Sequence, residues 1–213
     1  AYQTAWLKTH YPAEFMSANL TSEMSNIDRI VILINECRKL KIEVDPPDVN
    51  VSGIDFRPVN KKTISFGLNA IKNVGSKALE QIVKARGNHG KFDSLFDFTA
   101  NVSLKTVNRR VLESLNMSGA LDGLEGNRAQ KHAAIETALQ YGQTIQENKA
   151  RNQVDLFGAS STNGQNISMV PALSQIEEWS ETQLLEKEKE VLGIYLSGHP
   201  SLKYAEDLEE FSA

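Results

Sequence analysis

The chain has 213 residues, of which 40% are hydrophobic and 23% are charged, a composition typical of a globular protein with one large or two smaller domains. No apolar run is long enough to span a bilayer, no signal-peptide pattern is present, and the single Cys37 excludes a disulfide framework. These features predict a cytoplasmic protein without a membrane partner. The formal net charge is −4, yet residues 61–131 contain 12 Lys and Arg against 6 Asp and Glu. A basic middle section between acidic flanks indicates a phosphate-binding surface.

The first part of the chain has the apolar spacing of helices followed by an extended connection. Residues 1–40 predict three helices, and Pro12 is well placed at the start of the second. Residues 41–66 contain a Pro-Pro pair and β-branched side chains, which favour extended backbone. Within them, 56–59 and 63–66 are expected to pair as a small β-hairpin. The chain begins without Met in what reads as a helix already in progress, so we expect a segment of a longer protein.

Residues 64–86 form the most informative stretch, a predicted helix–turn–helix with its turn at Asn73-Val74-Gly75. Asn and Gly tolerate a left-handed backbone, and the second helix is expected to begin near Ser76. A helix start with unpaired N–H groups binds anions, and flanking lysines make phosphate the natural one. This is the pattern of a helix-hairpin-helix, although a simple helical hairpin would have the same turn. The predicted DNA contacts here are Lys72, Asn73, Val74, Gly75, Ser76 and Lys77.

A second hairpin of the same kind is predicted further along the basic section. A helix from Ser103 ends at a small-residue turn near Gly119, and a long helix follows from Asn127. Two such hairpins in tandem are suited to hold both strands of a duplex. Because the turn is followed by Asp122 and Glu125, a hairpin that only packs remains an alternative. The predicted DNA contacts here are Arg109, Arg110, Ser118, Gly119, Ala120 and Arg128.

Residues 141–173 lose helical periodicity, become polar and predict a flexible linker. It contains an apolar pair, Leu156 and Phe157, which has no amphipathic stretch to belong to. The pair and its neighbours match the short peptide that bacterial polymerases insert into a sliding clamp; a local fold-back is the alternative. The predicted clamp contacts are Gln153, Val154, Asp155, Leu156 and Phe157. A charged helix is expected next, from Ser174 to Val191.

Catalytic signatures are missing from the sequence. It has no Asp-x-Asp pair for two Mg²⁺ ions, no phosphate-binding loop, no zinc-ligand spacing and no nucleophile elbow. We therefore assign no catalytic residue, no metal ligand and no cofactor to this chain, and expect it to bind rather than to catalyse.

Together these segments resemble the C-family bacterial replicative DNA polymerases, the alpha subunits of DNA polymerase III, over essentially the whole length. The resemblance rests on AYQTAWLKTHYPAEFMSANLTSEM, INECRKLKIEVDPPDVN, FGLNAIKNVGSKALEQIVKAR, NRRVLESLNMSGALD, QVDLFG and EKEVLGIYLSGHP. The chain departs from the family at Asn69 and Asn73, where relatives commonly have Gly. Asn is the next best residue for a left-handed turn, so the hairpin should persist.

The resemblance implies a mainly α fold in four parts. Residues 1–63 would be the end of the fingers, 64–140 the tandem helix-hairpin-helix region, 141–173 the linker with the clamp peptide, and 174–213 a helical segment leading toward an oligonucleotide-binding barrel. The intact protein would be a DNA-directed DNA polymerase whose catalytic aspartates and Mg²⁺ lie in a palm outside this chain. Its implied partners are primer-template duplex DNA, the sliding clamp (the beta subunit) and other replicase subunits.

Two other classes fit part of the pattern. The DNA-binding region of a repair nuclease or ligase also uses paired hairpins, and a helical protein–protein scaffold would use them only for packing. Salt-dependent duplex binding separates the scaffold from the other two classes.

Overall fold

The computed structural model describes residues 2–150 and 170–198. The helices are α1 (Tyr2–His10), α2 (Pro12–Ser22), α3 (Ile27–Lys39), α4 (Ser76–His89), α5 (Leu95–Asn101), α6 (Arg109–Met117), α7 (Arg128–Ala150) and α8 (Glu181–Leu192). The strands are β1 (Glu43–Asp45), β2 (Arg57–Asn60) and β3 (Thr63–Ser65), and a single 3₁₀ turn spans Leu68–Ala70. The mainly α fold predicted from the sequence is confirmed. None of the helices within the described ranges is long and apolar enough to cross a membrane.

Side-chain caps set the starts of several helices. Asn26, Ser94 and Asn108 accept hydrogen bonds from the amides of Arg29, Asp97 and Val111 and so cap α3, α5 and α6. Ser180 and Gln183 form a reciprocal capping box at the start of α8. The prediction that this last helix begins at Ser174 is wrong, because residues 170–180 have no regular secondary structure and α8 begins at Glu181, after its cap Ser180.

A three-stranded sheet connects the amino-terminal helices to the hairpins, in the order β1-β3-β2. β2 and β3 are antiparallel, which confirms the predicted β-hairpin. β1 pairs in parallel with β3, with Glu43 opposite Thr63, and this pairing was not predicted. The predicted domain boundary between residues 63 and 64 falls inside β3, so the sheet spans it.

One contiguous cluster of buried apolar side chains runs from α2 through the sheet and hairpins to Ile194. Phe92 and Phe98 make an edge-to-face contact at 4.9 Å between centroids, and Phe66 packs against Phe56 at 4.8 Å. The hairpins therefore rest on a core shared with the amino-terminal helices.

The carboxyl end of α8 packs against α3. Gly193 ends the helix in the left-handed region, with φ of 77°, and a Cβ there would overlap the side chain of Ile27. Within α8, the buried carboxylate of Glu188 accepts hydrogen bonds from two amides that follow the helix, those of Leu196 at 3.0 Å and Ser197 at 3.2 Å. These contacts hold the end of α8 in a defined place.

Candidate nucleic-acid interface

The start of α4 is an uncapped helix terminus, as the sequence predicts. Gly75 precedes Ser76 in an extended conformation, with φ −77° and ψ 155°, and no side chain caps the helix. Ser76 and Lys77 are exposed, and their amides have no acceptor among the described residues. The amide of Val74 is different, because it donates to the carbonyl of Ile71 at 3.3 Å. The predicted free amides therefore begin at Gly75 rather than at Val74, which is buried.

Asn73 provides the left-handed residue of this turn, with φ of 66°. Gly75, one of the two residues expected to supply this conformation, has a negative φ. The side-chain amide of Asn73 donates to Ser114 Oγ on α6 at 3.2 Å. The first helix of the hairpin is only the 3₁₀ turn at Leu68–Ala70, shorter than predicted. The turn is therefore held by a contact to the second hairpin rather than by a long first helix.

Lys72, predicted to bind phosphate, is already bound within the protein. Its Nζ donates to the carbonyl of Glu190 at 2.9 Å, and its amide donates to the carbonyl of Val191 at 3.0 Å. Both acceptors belong to the last turn of α8. Lys77 has no such contact within residues 2–150 and 170–198, and it is the cation left beside the α4 amides.

Arg109 and Arg110 both begin α6 and are exposed. The guanidinium of Arg109 contacts Glu113 at 2.8 Å and Glu136 at 3.3 Å, and these carboxylates raise its pKa further. Arg110 has no ion pair in the described part of the chain. It precedes Ser114 by four residues, so the two lie on one face of α6 and Arg110 is one turn from the site where Asn73 docks.

The amides of the second turn, which were predicted to bind phosphate, donate hydrogen bonds within the protein. Ser118, Gly119 and Ala120 are buried, and their N–H groups donate to Ser114, Asn116 and Leu115 carbonyls at 3.0, 3.2 and 3.0 Å. These three amides therefore have no hydrogen free for a phosphate, and the DNA contacts at Ser118, Gly119 and Ala120 stay a prediction. The alternative of a packing hairpin, left open by the sequence, describes this turn better.

Arg128 is likewise a structural residue rather than a free cation. Its guanidinium makes a two-pronged contact with Asp122, with Nε–Oδ1 at 2.9 Å and Nη2–Oδ2 at 2.6 Å, and its side chain is 12% exposed. Burial works against its charge, but Asp122 together with Glu188 and Glu178 outweighs burial and raises the pKa of Arg128. The guanidinium is thus engaged by Asp122, and the DNA contact at Arg128 stays a prediction.

A carboxylate of the protein occupies the start of α7. Glu178 accepts hydrogen bonds from the amides of Arg128 at 2.8 Å, Ala129 at 3.0 Å and Trp179 at 2.9 Å. Partial burial acts to raise the pKa of Glu178, but these amides and the charge of Arg128 outweigh it and lower the pKa. An anion at a helix start is the expected partner of its unpaired N–H groups, so this end of the second hairpin is already satisfied.

Lys131 closes the loop between α6 and α7 and was not singled out from the sequence. Its side chain is buried, and Nζ donates to the carbonyls of Leu121 at 2.8 Å, Leu124 at 3.3 Å and Gly126 at 2.8 Å. Burial lowers its pKa. A lysine on a helix ordinarily indicates a solvated face, so no sequence signal distinguished it.

The predicted clamp peptide, Gln153–Phe157, lies outside the described residues, which end at 150 and resume at 170. The described interface thus consists of the exposed amides at the start of α4, Lys77, and the neighbouring Arg110. Exposed amides at a helix start beside cationic side chains are suited to a phosphate group.

A family model described as helix-hairpin-helix motif matches residues 41–131, which include the turns of both hairpins. DNA polymerase III subunit alpha of Vibrio cholerae is 40% identical over 213 residues, and that of Pasteurella multocida is 43% identical over 213 residues. The same subunit of Escherichia coli is 38% identical over 211 residues. The chain is therefore homologous, from one end to the other, to a segment of the DNA polymerase III alpha subunit. These matches cover 99–100% of this chain and 18% of each relative's length.

Proposed function

We propose that this chain is the part of a bacterial replicative DNA polymerase that holds duplex DNA by its backbone. The observation that carries the proposal is the uncapped start of α4, where exposed amides at Ser76 and Lys77 have no acceptor in the described part of the protein. Lys77 adds a positive charge beside the amides, and Arg110 adds a second one turn from the docked Asn73.

The proposed grip is asymmetric. The first hairpin supplies amide donors for a phosphate, whereas the second supplies a side-chain cation and a packing surface. The second hairpin's own helix start is filled by Glu178, and its turn amides are used internally. Homology to the polymerase subunit supports duplex DNA as the ligand, with catalysis by Mg²⁺ and aspartates elsewhere in the intact protein.

The amide site is tested by Ser76→Pro. Proline is tolerated at the first position of a helix, where it removes one N–H without disturbing helical bonds, and the extended Gly75 suits a residue before proline. Ser76→Ala is the matched control, because it keeps the amide and removes the hydroxyl. Duplex affinity is measured by fluorescence anisotropy across a salt series. Ser76→Pro should weaken binding about tenfold, the equivalent of one charge-assisted hydrogen bond, with Ser76→Ala close to wild type.

One result would reject the duplex-binding role, and another would reject the amide site. Affinity that does not fall with salt would exclude a phosphate grip, which predicts a log–log slope of about −0.9 for each phosphate neutralised. Equal effects of Ser76→Pro and Ser76→Ala would show that the amide makes no contact. Salt-independent behaviour would favour the helical scaffold.

We further propose that residues 153–157 attach the polymerase to its sliding clamp. The support is the Gln-x-Asp-Leu-Phe sequence in a polar segment between α7 and α8, together with homology to the polymerase subunit. Leu156→Ala combined with Phe157→Ala should abolish pull-down by the beta clamp and leave duplex binding unchanged. Loss of both activities would mean that the pair belongs to the core. Clamp attachment through residues 153–157 separates the polymerase from a repair nuclease or ligase only in part, since repair proteins also dock on clamps.

A further inference from the structure

A residue of the first hairpin donates hydrogen bonds to the carbonyl groups in the last turn of α8. An α-helix leaves its final carbonyl groups without intrahelical donors. The amide of Gly193 donates a hydrogen bond to the carbonyl of Lys189 at 2.8 Å. Lys72 donates to the next two carbonyls, from Nζ to Glu190 at 2.9 Å and from its backbone amide to Val191 at 3.0 Å. A cation is the favoured partner at this negative end of the helix dipole.

The same contact positions the turn that leads into α4. Lys72 is held by α8, Asn73 donates to Ser114 on α6, and the side chain of Val74 is buried in the core. Three successive residues are therefore anchored on three different surfaces. Gly75 and Ser76 follow directly, so the direction of their amides depends on these anchors.

We infer that Lys72 is a positioning residue and not a phosphate contact, and that α8 controls duplex affinity through it. This inference rests on the proposed duplex-binding function and names a structural element that regulates it. The ammonium of Lys72 points to the carbonyl end of α8, whereas Lys77 lies on the first turn of α4 beside the free amides. Residues of α8 change DNA binding without touching DNA.

Salt titrations separate a positioning residue from a phosphate contact. Lys77→Met removes a charge from the interface, so the magnitude of the log–log salt slope should fall by about 0.9. Lys72→Met keeps the aliphatic stem and removes only the ammonium. It should weaken duplex binding by roughly three- to tenfold at every salt concentration, with an unchanged log–log slope. The reason is that a smaller fraction of molecules has the turn at residues 72–76 in the conformation that binds DNA. Both variants are compared with wild type by anisotropy on the full chain.

A second variant acts from the other side of the contact. Val191 is buried and lies on α8, and Val191→Ala alters the packing of the last turn without changing any charge. It should weaken binding with an unchanged slope, as Lys72→Met does. Val102→Ala removes the same two methyl groups from the core at the end of α5 and should leave affinity within about twofold of wild type. Thermal unfolding of each variant checks that it is folded at the assay temperature. If Lys72→Met is unfolded there, the result with Val191→Ala tests the inference.

The outcomes are distinct. A slope change in Lys72→Met equal to that of Lys77→Met would make Lys72 a phosphate contact and overturn the inference. Unchanged affinity in both Lys72→Met and Val191→Ala would also overturn it. Absence of salt-dependent binding by the wild-type chain would reject the duplex-binding function itself, which is a different result.

Discussion

The side-chain amide of Asn73 donates a hydrogen bond to Ser114 Oγ at 3.2 Å, and this bond joins two hairpins that are 41 residues apart in sequence. Asn73 is also the left-handed residue of its turn. A glycine at this position would supply the conformation but no side chain. Asn73 therefore does two things at once: it lets the chain turn into α4, and it fixes that turn against α6.

A double-mutant cycle tests this bond. Asn73→Gly keeps the left-handed backbone accessible, and Ser114→Ala removes the acceptor. Because each variant breaks the same bond, we expect the double variant to lose less stability than the sum of the two, with a coupling free energy of about 0.5–1.5 kcal/mol. Free energies of unfolding from urea titrations measure it. Strictly additive losses would show that the bond does not connect the hairpins.

The two arginines at the start of α6 should contribute unequally to duplex binding. Arg110 has no ion pair in the described residues, whereas Arg109 is paired with Glu113 and Glu136. We expect Arg110→Gln to reduce the magnitude of the salt slope by about 0.9, and Arg109→Gln to reduce it by clearly less. Anisotropy titrations between low and moderate salt measure both slopes. A larger change in Arg109→Gln would contradict the assignment.

Glu178 should make stability depend on pH in acid. Its pKa is lowered in the folded protein, so its contribution is present above the unfolded pKa of about 4.3 and is lost as pH falls through the folded value. Glu178→Gln should lose about 0.5–1 kcal/mol at pH 7, a small amount because the site is largely solvated, and show a shallower acid dependence. Glu177→Gln changes the neighbouring carboxylate, which caps no helix, and serves as the control. Identical acid profiles of the two variants would exclude the cap.

Lys131 should be required for the loop between α6 and α7. Lys131→Met fills the same space but leaves three buried carbonyl groups without their donor. We expect a loss of about 3 kcal/mol in the free energy of unfolding. Lys84→Met, at an exposed position of α4, should change stability by less than about 0.5 kcal/mol. Thermal and urea unfolding distinguish the two variants, and equal small effects would rule out the proposed role of Lys131.

The sequence determined those features that depend on neighbouring residues. The start of α4 at Ser76, the pairing of β2 with β3 and the start of α7 all follow from local turn, cap and periodicity signals. Family-level resemblance was also available from the sequence, since long motifs such as FGLNAIKNVGSKALEQIVKAR are specific and continuous.

Tertiary structure decided which predicted contacts are free to bind. Lys72 donates a hydrogen bond to Glu190, which is 118 residues away, and the amide of Arg128 donates one to Glu178, which is 50 residues away. Local spacing carries no information about such partners, so the sequence presented Lys72, Lys77 and Arg128 as equivalent cations. Only the packing of α8 and the segment before it against the hairpins separates them, because a donor or a charge already satisfied inside the protein has no capacity left for a phosphate.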